Sequence, residues 1–374
     1  MPTAIAIKKA EGKPGKVWYP LDKIDVPHKD PKQDEVTVKV LSTSLNHRDV
    51  FIRQHLYPGT TFSVPLLADA SGIVTSTGSS TSAKAFLNKR VILNPGSGWL
   101  SSPHGPESPT GYKILGGTRL NPLGTLTTEL TISASELELA PAHLDAAEAA
   151  ALPLVGLTAW RALKTKSTYG STPGSNILVT GIGGGVALML LVFGVASDLN
   201  VYVTSSSAAK LEKAKALGAK GGADYTAKNW QADLLSRLPK DKPKFDAIVD
   251  GAGTSTLIAN AVKLLRPGGV IVSYGMTTAP TLPFTMAAVL QNLEIRGSTM
   301  GSRQEFKEMV EFVNGKKIRP VVEKVAKGGL DDLDSIEELF EMMKAGKQFG
   351  KLVIEVSPEH GGEARKNPAE KSKL

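Results

Sequence analysis

The first third of the chain alternates apolar and polar residues in short runs. AIAIK (4–8) and EVTVKVL (35–41) show the two-residue period of half-buried strands. From there to about residue 135 the sequence is rich in Gly, Pro, Ser and Thr and includes the stretch GSGWLSSPHGPESPTG at 96–111. This pattern predicts a β-rich region of short strands and long loops.

The pattern changes after the alanine- and leucine-rich stretch AHLDAAEAAALPLVGLTAWRAL at 142–163. From there, strand-like and helix-like runs alternate. The strand-like runs are NILVTG (176–181), NVYVTS (200–205), FDAIVDGAG (245–253) and GGVIVSYG (268–275). The helix-like runs are GGVALMLLVFGVA (184–196), AAKLEKAKALGA (208–219) and LIANAVKLL (257–265). Strands that alternate with helices are typical of parallel pairing and predict a doubly wound sheet.

The last third returns to a mixed pattern. SRQEFKEMVEFVNG (302–315) predicts a helix that ends at Gly315, and a second helix near 331–345 leads into the strand GKLVIEV at 350–356. We therefore predict an α/β protein in which the doubly wound unit is inserted between two parts of the β-rich unit. Residues 359–374 have no apolar period and are expected to form a flexible tail.

The composition is that of a globular protein. With 374 residues, 41% of them hydrophobic and 21% charged, the chain is long enough for two domains. The longest apolar run, Val186 to Ala196, is too short to span a bilayer, and no signal-peptide pattern follows Met1. The net charge is +8, but the lysines are scattered. We therefore expect neither a nucleic-acid partner nor a membrane partner.

Candidate chemistry is limited by the absence of cysteine. Without it, the chain has no disulfide, no thiolate nucleophile and no zinc site with Cys ligands. His47 and Asp49, in LNHRDVFIRQHLYPG at 45–59, raise the question of a metal. These two residues alone cannot supply the three protein ligands of a catalytic zinc site.

A glycine-rich turn joins the first α/β strand to its helix. The turn residues are Gly181, Gly183, Gly184 and Gly185, followed by Val186. Glycines at such a turn let backbone N–H groups approach a pyrophosphate at the positive end of a helix. The literal G-x-G-x-x-G spacing fails, so a turn without a ligand stays an alternative. The strand, helix and second strand around the turn favour a dinucleotide site.

The end of the second strand indicates which dinucleotide. An NAD-selective site usually places Asp or Glu there, whereas this chain has Ser205 and Ser206, followed by Lys210. Hydroxyl donors and a cation suit a 2′-phosphate, and no acid is present there to repel it. The sequence therefore favours NADPH as cofactor. The alternative is a helix-capping serine and an ordinary exposed lysine.

The chain resembles the medium-chain dehydrogenase/reductase superfamily, and within it the zinc-lacking quinone oxidoreductase and enoyl reductase branches. The resemblance covers residues 4 to about 356. It rests on NHRDVFIRQHLYP, PLLADASGIV, AAALPLVGLTAWRAL, the glycine turn, TSSSAAKLEKAKALGA, DGAG and GKLVI. It implies a GroES-like catalytic domain at 1–154 and 302–358, a Rossmann NADP-binding domain at 155–301, and nicotinamide in the cleft between them.

The resemblance also bears on the metal. Zinc alcohol dehydrogenases of this superfamily use a cysteine, a histidine in a G-H-E motif, and a third Cys or Asp. Asn46 stands where that cysteine would be, and the G-H-E region reads LADASG, with Ala68 and Asp69. The resemblance therefore implies chemistry that needs no metal.

Tyr57 and Asn46 are the candidate catalytic residues by the same resemblance. In mitochondrial-type enoyl reductases a tyrosine follows the corresponding asparagine at the same interval, and Tyr57 lies eleven residues after Asn46. Such a phenol can hydrogen-bond a substrate carbonyl, stabilise the enolate and donate a proton. The alternative, a loop tyrosine that only packs the cleft wall, stays open because quinone reductases carry a similar tyrosine.

Further cofactor contacts are implied by the matched motifs. Thr158 would contact the carboxamide end, Tyr225 would flank the adenosine ribose, and Lys351 would reach back toward the cofactor. The residues expected to line the nicotinamide side are Gly251, Ala252, Tyr274, Gly275 and Met276. Each position also has a structural alternative, namely capping, core packing or a strand-end turn.

These predictions lead to one main hypothesis and several alternatives. The main one is a zinc-independent, NADPH-dependent reductase of an activated C=C bond or a quinone, acting on a small molecule. The alternatives are a zinc-type alcohol or aldehyde dehydrogenase and a non-catalytic NADPH-binding protein. The final tripeptide, Ser372 to Leu374, matches a peroxisomal address, so we expect an import receptor as partner and a peroxisomal location. NLEIRGSTM (292–300) could pair as an edge strand in a homodimer.

Overall fold

The computed structural model describes residues 1–276, 278 and 281–358. The predicted tail at 359–374, with the tripeptide that suggests a peroxisomal address, lies outside these described residues. That location and its import receptor therefore stay predictions.

The first part of the chain is β-rich, as its alternating pattern predicts. Its elements are β1 (Thr3–Ile7), β2 (Leu21–Asp25), β3 (Glu35–Ser44), α1 (His47–Arg53), β4 (Asp69–Thr77), α2 (Thr81–Lys84), β5 (Arg90–Leu93), β6 (Gly96–Ser97), β7 (Lys113–Ile114), β8 (Glu129–Ser133), β9 (Leu137–Leu139) and α3 (Ala146–Ala150). Helix α1 was not predicted. It begins after Asn46, whose backbone N–H donates to the Asp49 carboxylate, the reach-back contact of a capping box.

The middle of the chain is an α/β unit. Its elements are α4 (Pro153–Trp160), a π-helical turn (Arg161–Lys166), β10 (Asn176–Val179), α5 (Gly185–Ala196), β11 (Asn200–Ser205), α6 (Ala208–Ala216), β12 (Gly221–Asp224), α7 (Trp230–Ser236), β13 (Phe245–Asp250), α8 (Leu257–Leu264), β14 (Leu265–Ser273), α9 (Met286–Leu290) and β15 (Glu294–Gly297). Its strands pair in parallel in the order β12-β11-β10-β13-β14-β15. The predicted doubly wound sheet is confirmed.

The apolar character of β10 and α5 follows from their burial. All four residues of β10 are buried, because neighbouring strands and helices cover both faces of a parallel sheet. Helix α5 is apolar around most of its circumference because it packs against both the sheet and α4. In the described part of the chain, no helix combines the length and apolar character that a membrane crossing needs.

The last part of the chain returns to the first sheet. It contains α10 (Arg303–Lys316), β16 (Val322–Ala326), α11 (Leu333–Lys344) and β17 (Lys351–Glu355). Strand β17 pairs antiparallel with β3, with Val353 opposite Ser44. The sheet order is β16-β17-β3-β4-β5-β9, and β8 pairs with β3. The predicted residue limits of the two domains stay a prediction.

The end of helix α10 differs from its prediction, and the predicted edge strand is present. Helix α10 does not end at Gly315; it continues to Lys316, and Lys317 closes it in the left-handed conformation with φ of 55°. The predicted strand near 292–300 is present as β15, at the edge of the parallel sheet, with Ile295 exposed. A homodimer through this edge stays a prediction.

One apolar core joins the two parts of the molecule. It contains Ala68, which directly precedes β4, Ile92 from β5, Val179 from β10 and Phe306 from α10, all buried. Because this core is shared, the carboxyl ends of the parallel strands face α1 and β17 across a cleft.

Candidate active site

A cleft of about 450 Å³ separates the glycine turn after β10 from helix α1. The β-rich part supplies Asn46, His47, Arg48 and Tyr57, and β17 supplies Lys351. The α/β part contributes Thr158, Gly181, Gly184, Gly185, Val186, Gly251, Ala252, Tyr274 and Gly275. Most of the predicted catalytic and cofactor residues therefore lie around one cavity.

The glycine turn leaves open space at the end of β10. Gly181 has φ of 64° and Gly183 has φ of 129°, a region that residues with a Cβ rarely adopt. A Cβ at Gly181 or Gly184 would meet no atom within 4 Å. Gly184 is the N-cap of the 12-residue helix α5. The turn thus exposes backbone N–H groups at the positive end of a helix, as a pyrophosphate requires.

The end of β11 is arranged beside this turn. Ser205 is buried, its hydroxyl accepts from the Ser207 N–H at 3.1 Å, and Ser206 is exposed. The side chain of Lys210 crosses Gly183: a Cβ there would lie 2.9 Å from Lys210 Cδ. Lys210 Nζ donates to the Gly346 carbonyl at 3.0 Å, and burial lowers the pKa of this lysine. Lys210 therefore lies directly against the glycine turn, and its ammonium is held by the Gly346 carbonyl.

One acidic residue near this position was missed. Asp224, at the end of β12, pairs in register with Ser205. Its carboxylate accepts from the Thr226 N–H at 2.9 Å and from the Thr226 hydroxyl at 2.7 Å, which lowers the pKa of Asp224. The neighbouring Tyr225 is 48% exposed. For the charge preference of the site, sequence reasoning considered only the end of the second strand, whereas the parallel register brings Asp224, at the end of the next strand, to the same edge.

The carboxyl end of β13 shapes the opposite wall. Asp250 accepts from the Thr180 hydroxyl at 2.5 Å and from the Gly253 N–H at 2.7 Å. Only glycine fits at position 251, because a Cβ there would lie 2.4 Å from the ring of Tyr274. Burial and the Asp250 charge raise the pKa of Tyr274, so its phenol stays neutral. Met276 does not line this cleft; it lies in a neighbouring groove.

A buried polar network closes the floor of the cleft. Lys351 Nζ donates to the Leu45 carbonyl at 2.7 Å, to Asn46 Oδ1 at 2.7 Å and to Asp69 Oδ2 at 2.9 Å. Asp69 also accepts from Asn46 Nδ2 at 2.8 Å and from the Leu154 N–H at 2.7 Å. The side chains of Asp69 and Lys351 are 0% and 4% exposed. All three N–H groups of the ammonium are therefore used inside the protein.

A second buried ion pair lies next to this network. Arg48 Nη1 is 3.3 Å from Asp49 Oδ1, and the guanidinium also donates to the carbonyls of Leu115 and Gly116 at 2.9 Å. The Arg48 guanidinium carbon lies 4.6 Å from the centre of the Tyr57 ring. A cation against a ring face attracts the π-system. Arg48 therefore restrains Tyr57 at the cleft wall.

His47 and Asp49 do not converge on a common point. The His47 imidazole reaches solvent in the cleft and packs edge-on against Phe51 at 4.7 Å between ring centres; the surrounding protein lowers its pKa. Asp49 is fully buried, and its carboxylate accepts a hydrogen bond from the backbone N–H of Asn46 at 2.8 Å. No group of three His, Cys, Asp or Glu side chains within the described residues could hold a metal ion.

Sequence reasoning gave Asp69 and Arg48 no role in the site. Asp69 was considered only as part of a lost motif, although an acid at the start of a buried strand requires a partner. That partner, Lys351, is 282 residues away in the chain. The cofactor role predicted for Lys351 stays a prediction, since its contacts in the structure are with Leu45, Asn46 and Asp69.

Two known protein families match separate parts of this chain. The family model "Alcohol dehydrogenase GroES-like domain" matches residues 32–142, and the model "Zinc-binding dehydrogenase" matches residues 181–315. The chain is 47% identical over 361 residues to "Zinc-type alcohol dehydrogenase-like protein YogA" of Leptosphaeria maculans, covering 95% of this chain and 100% of that protein.

Two further similarities are more distant. The chain is 28% identical over 337 residues to a 2-methylene-furan-3-one reductase of Solanum lycopersicum, covering 88% of this chain and 74% of that protein. A solved structure of an NAD-dependent alcohol dehydrogenase superposes with a TM-score of 0.80 at 30% identity, covering 95% of this chain and 100% of the other.

The buried Asp49 gives a test of the electrostatics of the site. Burial raises the pKa of Asp49 from its ordinary value of 3.8 to about 6. The folded state then resists ionisation, so the carboxyl group costs stability as the pH rises through this range and costs none at low pH. Relative to Asp49→Asn, the wild type should lose roughly 2 to 3 kcal/mol between about pH 4 and about pH 7. Urea unfolding of both proteins across this range measures the difference.

Asp34→Asn is the matched control, because Asp34 is exposed. Its difference from the wild type in free energy of unfolding should change with pH much less than that of Asp49→Asn. A constant offset for Asp49→Asn would contradict the raised pKa.

Proposed function

The chain belongs to the medium-chain dehydrogenase/reductase superfamily of oxidoreductases, and we propose that it is an NADPH-dependent reductase that works without zinc. The substrate would be a small molecule with an activated C=C bond, such as a 2-enoyl thioester, an enone or an enal, or else a quinone. The observation that carries this proposal is the arrangement of Asn46, Tyr57 and Lys351 around the cleft beside the glycine turn.

Zinc is implied by the names of one matching family model and of the relative at 47% identity. The residues at the expected position do not fit this metal. Asn46 replaces the cysteine of zinc-type members, and its Oδ1 is bonded to the Lys351 ammonium, as is Asp69 Oδ2. Zinc prefers nitrogen and sulfur ligands and would compete with an ammonium for the same oxygens. We therefore derive no step through a metal.

A dinucleotide fits the cleft. The open positions at Gly181 and Gly184 and the N-terminus of α5 can receive a pyrophosphate. Thr158, Gly251, Ala252 and Gly275 lie along the same cavity toward Tyr57. When bound, the reduced nicotinamide would supply the hydride. The protein has to position the acceptor and stabilise the charge that develops on it.

Tyr57 and Asn46 are suited to that second task. Both line the cleft on the side of α1. The Tyr57 phenol can donate a hydrogen bond to a substrate carbonyl oxygen and can supply the proton that completes the reduction. One Asn46 N–H is used by Asp69, which leaves the other for the same oxygen. Two such donors would stabilise an enolate or a quinol oxygen.

NADPH is favoured over NADH by the residues beside the turn. Ser206 is exposed and Lys210 lies against Gly183, so a hydroxyl donor and a cation are available to a 2′-phosphate. Asp224 opposes this preference by its charge, although its carboxylate is already bonded to Thr226. The solved structure at 30% identity is described as NAD-dependent, which makes a direct test necessary.

The substrate class is supported by a relative's name. The Solanum lycopersicum protein is named for a compound with a C=C bond next to a ring ketone. Such a compound is an activated alkene of the proposed kind. A quinone has the same conjugated arrangement of C=C and C=O bonds and stays an equal candidate.

A zinc-type alcohol dehydrogenase is a second candidate, favoured by the name of the relative at 47% identity. It requires a metal to polarise the alcohol or carbonyl oxygen. Loss of all turnover in chelator, with recovery on addition of Zn²⁺, would support it.

The first test measures NADPH consumption with trans-2-enoyl-CoA, a 2-alkenal and a 1,4-quinone, in the presence of chelator. Tyr57→Phe removes the proposed donor and keeps the ring under Arg48. We expect kcat/KM to fall about 100- to 1,000-fold, as when one oxyanion donor is removed, with little change in the KM for NADPH.

Tyr202→Phe is the control, because Tyr202 bonds the Arg237 carbonyl away from the cleft. It should keep full activity. If Tyr57→Phe does too, Tyr57 only packs the cleft wall. If the wild type reduces none of the acceptors yet binds NADPH, the non-catalytic alternative is supported.

The cofactor preference is tested with Lys210→Met. Loss of the cation should raise the KM for NADPH about tenfold or more, since a hydrogen bond to a charged group contributes about 1.5 to 3 kcal/mol, and leave the KM for NADH nearly unchanged. Lys215→Met, in the same stretch of chain and paired with Glu212 on the surface, should change neither. Equal effects of Lys210→Met on both cofactors would contradict the assignment.

A further inference from the structure

We propose that Lys351 is a positioning residue that replaces a metal ion at the centre of this site: its ammonium fixes the Asn46 amide so that one N–H is presented to the substrate oxygen. The inference rests on the proposed reductase function and assigns a role to a residue that the resemblance places toward the cofactor. It is carried by the buried contacts of Asn46, Asp69 and Lys351.

The contacts of Asn46 fix the orientation of its side-chain amide. Lys351 can only donate, so the atom 2.7 Å from its Nζ has to be Oδ1. The ion-paired Asp69 carboxylate can only accept, so the atom 2.8 Å from its Oδ2 has to be Nδ2. The two partners together allow only one of the two amide orientations.

This orientation leaves one N–H of the Asn46 amide without a protein acceptor among the described residues. Nδ2 carries two hydrogens, and one is used by Asp69. Among the described residues the structure shows no second acceptor for Nδ2, and Asn46 lines the cleft. With the amide reversed, the carbonyl oxygen would take that place and would repel a developing oxyanion. Lys351 therefore acts on the substrate through Asn46.

The Lys351 ammonium is fully occupied by protein oxygen atoms. Lys351 Nζ has three oxygen acceptors at 2.7, 2.7 and 2.9 Å, which is the full capacity of an ammonium. It therefore has no hydrogen left for a cofactor phosphate. It also neutralises Asp69, whose side chain has no exposure to solvent. A fixed ammonium thus satisfies oxygen atoms that a bound cation would otherwise have to satisfy.

The fold brings Lys351 to Asn46 along the glycine turn. The Gly350 N–H donates to the Gly183 carbonyl at 3.0 Å, which places the start of β17 beside the glycine turn. A Cβ at Gly185 would lie 2.9 Å from Lys351 Cδ. The aliphatic part of the Lys351 side chain therefore passes the N-terminus of α5, and its ammonium reaches Asn46 on the other side of the cleft. The missing Cβ at Gly185 leaves room for this path of the Lys351 side chain.

The experiment separates positioning from charge balance and from cofactor binding. Lys351→Met keeps the length of the stem and removes the cation, and Asp69→Asn combined with Lys351→Met removes both charges. Each protein is tested for Tm, for the Kd of NADPH and for kcat with the acceptor that the wild type reduces best. Lys324→Met is the control, because Lys324, on the neighbouring strand β16, forms an exposed ion pair with Glu338 of helix α11.

We expect Lys351→Met to lower Tm, because a buried carboxylate loses its partner, and the double variant to regain most of that loss. The kcat should fall about 10- to 100-fold in both, as expected when a donor is misplaced, and the Kd of NADPH should change less than twofold in both. Lys324→Met should match the wild type in all three measurements.

Two results would overturn the inference. If the double variant regains kcat together with Tm, Lys351 only balances the charge of Asp69. If Lys351→Met weakens NADPH binding tenfold or more, the lysine is a cofactor ligand. The measurement of NADPH binding tests the cofactor role of Lys351 even if the wild type reduces no acceptor. Absence of any turnover by the wild type would contradict the proposed function, and with it the role of Asn46 toward the substrate.

Discussion

The buried ion pair between Asp69 and Lys351 is the interaction on which the site depends. It joins the start of β4 to the start of β17, and the same carboxylate accepts the Leu154 N–H in the first turn of α4. One carboxylate therefore holds together the first sheet, the returning strand and the helix that leads into the α/β unit. Two charges this deeply buried are tolerated only when paired and hydrogen-bonded. This requirement makes the local arrangement specific.

The cleft follows from that joint and from the parallel sheet. The carboxyl ends of β10 and β13 form one wall, and α1 forms the other. Ligands of open parallel sheets collect at this end of the strands. Two polar side chains that line the cleft are fixed by buried partners. Asn46 is hydrogen-bonded to Lys351 and Asp69, and the ring of Tyr57 packs against the Arg48 guanidinium. Such rigid support is what transition-state stabilisation by hydrogen bonds requires.

The chain has no cysteine to bind zinc, and a lysine ammonium lies at the centre of its site. The resemblance places Asn46 at the position of a zinc-ligating cysteine, and in this chain Asn46 and Asp69 both accept hydrogen bonds from the Lys351 ammonium. The fold and the zinc-related names of the similar proteins are therefore compatible with a different chemistry at the centre. Fold alone does not decide function, because the site residues determine the reaction.

The sequence by itself determined the doubly wound sheet, the glycine turn and the β-rich first part, because residue periodicity and glycine placement act locally. The family resemblance proposed Asn46 and Tyr57 as catalytic residues, and the structure places both at the cleft, but the sequence did not predict helix α1 and placed the end of α10 at Gly315. Only the tertiary structure brought Asp69 to Lys351, Arg48 to Tyr57 and Asp224 to Ser205. These partners lie on different elements, and a charge pattern along the chain carries no information about which strands become neighbours.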